Sequence, residues 1–381
     1  MRNGGNMKNP FTYGKEVTGS SFCNRKNEIE EIYRDIVNSQ NVIIFSQRRF
    51  GKTSLIREVL KKAQKEGILT IYVDIYSVLT EEDLVRIYAK AVAEIALGKL
   101  ERGLRDAAKL FKSIRPKLAL DETGQPTYSI DVDKRETLPL LEDALESVNR
   151  YADRKKKKAV VVLDEFQQIG QFKTDRVEKT MRSVFQKHKN ISYIFMGSKK
   201  HLIFDMFNNP NRPFYRSAKP FPLEKIGKSE FMSFIKNKFK STGKIIADDS
   251  VKKIIDICEC HPYYIQYFCH IILERAIDKQ KISENNLKEG LELLLSRESS
   301  TYEATWDLLT VKQKQVLLAL SAVGKDEKLF SSGFLEKHNL GSASSVQRTI
   351  QGLVDKDLVD KEGDLYTIID ILFKKWLLHL K

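Results

Sequence analysis

The stretch Asn41-Val-Ile-Ile-Phe-Ser-Gln-Arg-Arg-Phe-Gly-Lys-Thr-Ser-Leu-Ile56 decides how the chain is read. Four β-prone residues, Val42 to Phe45, run into a loop and then into an amphipathic segment, the strand–loop–helix order that a phosphate-binding loop requires. Backbone N–H groups from Arg48 to Thr53 are then expected to point into one concavity at a helix N-terminus, where partial positive charge favours an anion. Gly51 lets the backbone come close. Lys52 is placed to reach β- and γ-phosphates as a compact charge, and Thr53 to offer its hydroxyl to Mg²⁺. Ser46, Gln47, Arg48, Arg49, Phe50, Gly51, Lys52, Thr53 and Ser54 together form the expected nucleotide cradle. The pattern G-x-x-x-x-G-K-[ST] is met from Ser46 to Thr53 except at its first position, where a small serine replaces glycine. A G-K-T tripeptide on a loop can arise by chance, so the reading depends on a second motif.

That motif is Ala159-Val-Val-Val-Leu-Asp-Glu165. Its apolar run marks a strand buried on both faces, as in a parallel sheet, and it ends in two carboxylates where the ligand edge of such a sheet lies. This is the Walker B pattern. Asp164 is expected to hold Mg²⁺ through its water shell, and Glu165 to orient and polarise the attacking water. A strand at Leu69 to Asp74 and a helix carrying Leu84, Ile87, Tyr88 and Ala91 lie between the two motifs. The fold class follows: α/β, a P-loop NTPase three-layer αβα core with a parallel sheet. Another buried strand, Ser192 to Ser198, ends in a hydroxyl that either senses the γ-phosphate or lytic water or merely leaves the strand. The loop Asn208 to Pro222 carries Arg212 and Arg216, each readable as a phosphate contact from the rim or as a surface arginine.

Residues 1–20 are polar and expected to be flexible. The ATPase core is expected at 21–223, with a hairpin inserted at about 112–134 around the turn Asp121 to Pro126. Strands then stop. Phe231, Phe234, Ile235 and Phe239 share one helical stripe, and Pro262 starts another helix, so 224–300 reads as a helical lid. A helix from Thr310, a short helix at Ser332, a turn at Gly341, a helix from Ser342 and a glycine-tipped hairpin make 301–381 a winged-helix domain.

The 381 residues are 41% hydrophobic and 30% charged, with a net charge of +14 that raises nucleic acid or an acidic surface as a partner. Four cysteines make no disulfide framework at this length, and Cys258-Glu-Cys-His261 lacks the spacing of zinc pairs, which favours buried thiols. No early segment reads as a signal peptide and no apolar run approaches a membrane span, so a cytoplasmic protein with no membrane association is expected.

At this point the chain resembles the archaeal-type ATPase family, within the STAND group of P-loop NTPases related to AAA+ proteins. The resemblance rests on Phe22-Cys-Asn-Arg25 with Glu28, Gln47 to Leu55, Val161-Val-Leu-Asp-Glu-Phe166, Met196-Gly-Ser198, Tyr215-Arg216 and His261-Pro262, and it covers nearly the whole chain. It implies an ATP-dependent switch rather than an enzyme with a small-molecule product. It implies also that residues around Arg25 border the adenine, that Arg216 reaches the γ-phosphate and that His261 contacts the β-phosphate. Two glycines usual for such proteins are replaced, by Ser46 and by Cys260.

Two functions compete: an ATP/ADP- and Mg²⁺-binding ATPase switch acting on a protein partner, and a DNA-binding initiator or regulator in which ATP governs the winged helix. Charge separates them. From Thr310 to Lys381, ten lysines and one arginine face six aspartates and three glutamates, a net of only +2. From Leu141 to Pro220, seventeen basic residues face nine acidic ones, a net of +8. The recognition-helix candidate, Ser342 to Gln351, offers Arg348 alone, and the wing carries Asp360, Glu362 and Asp364, a poor anchor for phosphates. A third reading, in which Arg48, Arg49 and Lys155 to Lys158 bind RNA or an acidic protein, has no motif behind it.

Overall fold

The computed structural model describes residues 9–97, 109–133, 136–276, 281–322 and 329–380. The chain forms two compact units, one of residues 16–224 and one of residues 225–381 joined by the N-terminal segment up to Lys15.

In the first unit, β1 (Val42–Phe45) and β2 (Leu69–Asp74) are followed by a hairpin of β3 (Lys117–Leu120) and β4 (Pro126–Ser129), then by β5 (Ala159–Asp164), β6 (Ile191–Gly197) and β7 (Lys219–Pro222). Five of these make one sheet, order β2-β5-β6-β1-β7, in which every neighbouring pair is parallel. Alternation along each strand sends residues to opposite faces. Ile43, Ile71, Val161, Leu163, Tyr193 and Phe195 face one core, packed by helices Glu81–Leu97, Thr137–Lys155 and Arg176–Phe185. Val42, Ile44, Val160, Val162, Ile194 and Met196 face the other, packed by helices Lys26–Val37 and Lys52–Lys65. This is the three-layer arrangement that unbroken apolar strands demand, because a parallel sheet is covered on both sides. The β3–β4 hairpin is antiparallel and stands outside the main sheet, and Tyr128 and Ile130 bury into the first core cluster, so it is anchored rather than purely superficial.

The second unit begins with helix Lys228–Ser241, a two-residue parallel bridge of β8 (Ile245–Ile246) with β9 (Lys281–Ile282), and helices Asp248–Ile257, Pro262–Arg275 and Glu284–Asp307. Ser283 caps the last of these through a reciprocal bond with Asn286. Helices Val311–Ser321, Ser332–Lys337 and Ala343–Asp355 precede the antiparallel pair β10 (Val359–Glu362) and β11 (Leu365–Ile368), and helix Ile371–His379 follows. Thr310, Ser331, Ser342 and Asp370 each accept from a backbone N–H in the helix they cap, which is why these helices start where they do.

Residues 1–8 lie outside the described residues, but 9–15 differ from the expectation of a loose tail. Phe11 is buried against Phe239 with ring centroids 4.9 Å apart, and Tyr13 stacks on Tyr267 at 4.1 Å. Thr12 N–H donates to Gln266 Oε1 at 3.0 Å, and Lys238 Nζ donates to Pro10 O at 2.8 Å. Two aromatic anchors offset the ordering of a short segment whose composition otherwise reads as loose.

Candidate functional site

The C-terminal edge of the sheet gathers the charged residues of both motifs. Directly after β1 the chain enters a loop that keeps Ser46 and Phe50 buried and Arg48 and Arg49 exposed, and helix Lys52–Lys65 follows. Gly51 caps that helix at φ 86°, a left-handed conformation that glycine adopts without steric cost. Arg49, at φ 64°, has to adopt the same region with a side chain. Ser46 is not among the positive-φ residues, so serine in place of the usual glycine strains no backbone there.

Lys52 is buried, and its ammonium donates to Ser46 O at 3.0 Å, Gln47 O at 3.1 Å and Ser46 Oγ at 3.3 Å. Those bonds satisfy the three donors that burial would otherwise leave costly. Burial nevertheless pushes the Lys52 ammonium down to about 8, against the opposing pull of the Glu165 and Asp164 carboxylates. Thr53 Oγ1 lies 3.4 Å from Asp164 Oδ2. The same carboxylate oxygen accepts from Tyr72 OH, and Asp164 Oδ1 accepts from the Glu165 N–H at 2.9 Å. Burial raises the Asp164 carboxyl above its ordinary range, the Tyr72 hydrogen bond opposes that, and the Glu165 charge adds to it. Tyr72 in turn is held by Arg57, whose guanidinium carbon sits 3.9 Å from the ring centroid.

Glu165 leaves the strand at φ 55°, and its carboxylate accepts from Ser198 Oγ at 2.9 Å and from Gln167 Nε2. Gly197 makes that pairing possible: a Cβ there would lie 2.4 Å from Gln167 Oε1 and 2.8 Å from Ile203 Cδ1. Ser198 thus bonds the carboxylate that ends the Walker B strand. Ser54 Oγ, one turn into the loop helix, accepts from Val17 N–H at 3.0 Å and is engaged within the protein.

The remaining candidates lie elsewhere. Arg25 is 2% exposed; its guanidinium pairs with Glu28 at 2.9 Å and donates to Glu224 O at 3.0 Å and Phe50 O at 3.4 Å. It braces the loop from behind through Phe50. Arg216 is exposed, at φ 50°, with its guanidinium over the Tyr215 ring at 5.2 Å, and forms no ion pair among the described residues. Arg212 is instead spent on the core, bonded to the buried Glu178 at 2.7 Å. His261 belongs to the second unit, where it is buried as the N-cap of helix Pro262–Arg275 with its ring 4.6 Å from Tyr264. Cys260 before it sits at φ 58° and Glu259 at 48°, which explains why glycine suits that turn. Cys258 and Cys269 are buried free thiols, raised by desolvation.

Tyr72 and Gln167 were not singled out from sequence. A tyrosine inside an apolar strand and a glutamine two residues past a strand end carry a signal only once their neighbours across the sheet are known. No helix among the described residues is long and apolar enough to cross a membrane.

Comparison with known proteins gives the fold and the family. Among solved structures, the chain is similar to the Walker-type ATPase PABY2304 of Pyrococcus abyssi, with a TM-score of 0.64 at 17% identity over 97% of this chain and 99% of that one. It is similar also to the ORC2 protein of Aeropyrum pernix in its ADPNP–ADP complexes, with a TM-score of 0.58 at 14% identity over 98% of this chain and 96% of that one. At such identities the likeness is one of fold. Among curated proteins no match was found. Residues 300–379 match the family described as "Probable winged helix domain". Residues 22–268, a span that begins before the loop and runs through both motifs into helix Pro262–Arg275, match the ATPase domain predominantly from Archaea, and the chain belongs to that family of nucleotide-binding ATPases.

Proposed function

We propose that the chain is a Mg²⁺-dependent ATPase that works as a nucleotide-controlled switch on a macromolecular partner. The observation that carries this reading is one convergence at the sheet edge: Lys52, the Thr53–Asp164 pair at 3.4 Å, and Glu165 held by Ser198 at 2.9 Å. The donor chemistry fits the ligand. Thr53 and Asp164 offer oxygens only, the set a hard divalent cation takes when water completes its shell. Lys52 beside a loop with Gly51 in the left-handed region suits a phosphate chain.

Lys52 exchanges its bonds to the loop carbonyls for phosphate oxygens. Thr53 and Asp164 would hold the cation, with Tyr72 setting the carboxylate's orientation. When bound, Mg²⁺ neutralises charge that develops on the phosphates. Glu165 accepts a hydrogen bond from the attacking water, and Ser198 and Gln167 fix where its carboxylate stands. Arg25 keeps the loop in shape through Phe50.

The switch resides in the lid. His261 sits at the start of a helix whose first N–H groups lack intrahelical partners, a place suited to an anion. His261 thereby takes the role that the family resemblance implies for it, a contact to the β-phosphate. A ligand shifts such an equilibrium only through its differential affinity for the two states, so one contact is worth about 1–3 kcal/mol. Hydrogen exchange tests this: ADP is expected to protect residues 225–276 in the wild type and much less in His261→Ala. Equal protection in both would remove His261 as the coupling residue.

A further inference from the structure

The opposite edge of the same sheet carries charge of a different kind. There the strands begin, and the segments leading into β2, β5 and β6 lie side by side: Leu69 N–H donates to Lys158 O at 2.9 Å and Ala159 N–H to Asn190 O at 3.0 Å. Neighbouring strands are about 4.8 Å apart, so the three entrances fit within roughly 10 Å. Lys65, Lys156, Lys157, Lys158, Lys187 and Lys189 stand on these entrances or beside them, all exposed. Lys157 Nζ reaches across to the β2 entrance, 3.9 Å from where a Cβ on Gly67 would sit. Lys158 donates to Val37 O.

Among the described residues, Lys65, Lys156, Lys157, Lys187 and Lys189 form no ion pair. Lysines elsewhere on this unit do: Lys179 pairs with Asp175 at 2.8 Å, and Lys219 with Glu31 and Asp35, both at 2.9 Å. Three carboxylates stand near the cluster, Glu66, Glu146 and Asp153. Glu146 bonds His188, whose pKa burial lowers, at 3.2 Å, and Asp153 bonds the Asn149 amide at 3.0 Å, so both keep their charge and the six lysines face three acids, a basic excess. A cation at a helix C-terminus complements the macrodipole, but that effect falls off within the last turn and does not account for a run of four lysines.

We propose that this edge binds the phosphate backbone of nucleic acid without reading base sequence. Lysines act as point charges toward phosphate, and cations of this kind supply most non-specific affinity. A protein partner fits the surface less well, because protein interfaces are built on apolar anchors and deplete lysine. Two large exposed hydrophobics stand beside it, Val37 at 36% and Ile95 at 40%, on helices that cover opposite faces of the sheet, so they form no common apolar patch. The proposal is independent of the nucleotide reading, since binding is expected without ATP and at residues remote in the sheet from the P-loop.

The test uses the full chain without nucleotide and a short fluorescent duplex of mixed sequence, followed by anisotropy over a salt series. Lys156→Ala/Lys157→Ala/Lys187→Ala/Lys189→Ala is compared with Lys228→Ala/Lys236→Ala/Lys252→Ala/Lys253→Ala, which removes the same charge from the lid. The first set is expected to weaken binding at least tenfold and to reduce the slope of log affinity against log salt by about 3 to 4, as four lost phosphate contacts require. The lid set is expected to stay within twofold to threefold of wild type. Calorimetric ADP binding in both sets reports that the fold is retained, and glutamine at the same positions repeats the test if alanine perturbs it. Equal losses in the two sets, an unchanged salt slope, or displacement by polyglutamate as effective as by unlabelled duplex would overturn the proposal.

Discussion

The two edges of the parallel sheet both gather charge, and they treat it in opposite ways. At the C-terminal edge, Lys52 and Asp164 are buried, and each has hydrogen-bond partners in place: the Ser46 and Gln47 carbonyls for one, Tyr72 and the Glu165 N–H for the other. At the N-terminal edge, Lys156, Lys157, Lys187 and Lys189 extend into solvent from loops and have no carboxylate partner among the described residues. Burial makes a charge valuable and position-dependent, whereas exposure leaves it screened and interchangeable with its neighbours. The difference separates a site for one phosphate chain from a surface for many phosphates.

The largest effect expected of that contrast is at Lys52. Lys52→Ala should weaken ADP and ATP binding at least about 100-fold, since a desolvated charge-assisted contact is worth roughly 3 kcal/mol or more when its partner is left behind. Calorimetry reads it, and wild-type affinity in the variant would break the contrast at its strongest point.

The next effect is one of pH. The Lys52 ammonium is pushed down to about 8, so in the free protein it loses its charge as pH rises through that value. Phosphate selects the charged form, so binding above pH 8 must take up a proton, and affinity falls. Between pH 7 and 9 the charged fraction drops about tenfold, and nucleotide affinity should follow it while Lys52→Ala shows no such slope. A flat profile in the wild type would mean that Lys52 keeps its proton in the empty site.

The smallest expected effect is the sharpest complement. Removing Lys156 and Lys187 together should leave ADP affinity within about twofold, because exposed charges beyond a Debye length of about 8 Å are largely screened. A loss of tenfold would show that the two edges communicate.

Much of this site was legible in the residues, for reasons that can be named. The run Val42 to Phe45 and the run Ala159 to Leu163 are apolar without interruption, which only a strand covered on both faces explains, and each hands over directly to loop chemistry. Lys52, Thr53, Asp164 and Glu165 could be placed because their roles depend on position relative to strand ends. Ser198 needed only the neighbouring strand. What was not legible depended on contacts across the fold. Tyr72 acquires meaning from Asp164 one strand away, in the pair of strands where Asp74 stands opposite Asp164. Gln167 acquires it from Glu165 and from the space that Gly197 leaves. The family resemblance sets the residues around Arg25 beside the adenine, and only the fold shows that its guanidinium bonds Glu28 and two backbone carbonyls. Phe11 and Tyr13 were hidden in a polar segment whose packing partners come from residues more than two hundred positions later. The two missing glycines looked equivalent in sequence, but only Cys260 occupies a left-handed conformation.

The measurement closest to the central claim is Glu165→Gln, assayed for ATP binding by calorimetry and for phosphate release in the same preparation. The carboxylate is expected to act on water rather than on the nucleotide, so the variant should bind Mg²⁺–ATP within a few-fold of wild type while its turnover falls at least about 100-fold, the contribution typical of a positioned general base. Turnover at the wild-type rate, or affinity lost together with turnover, would contradict the assignment of hydrolysis to the C-terminal edge of this sheet.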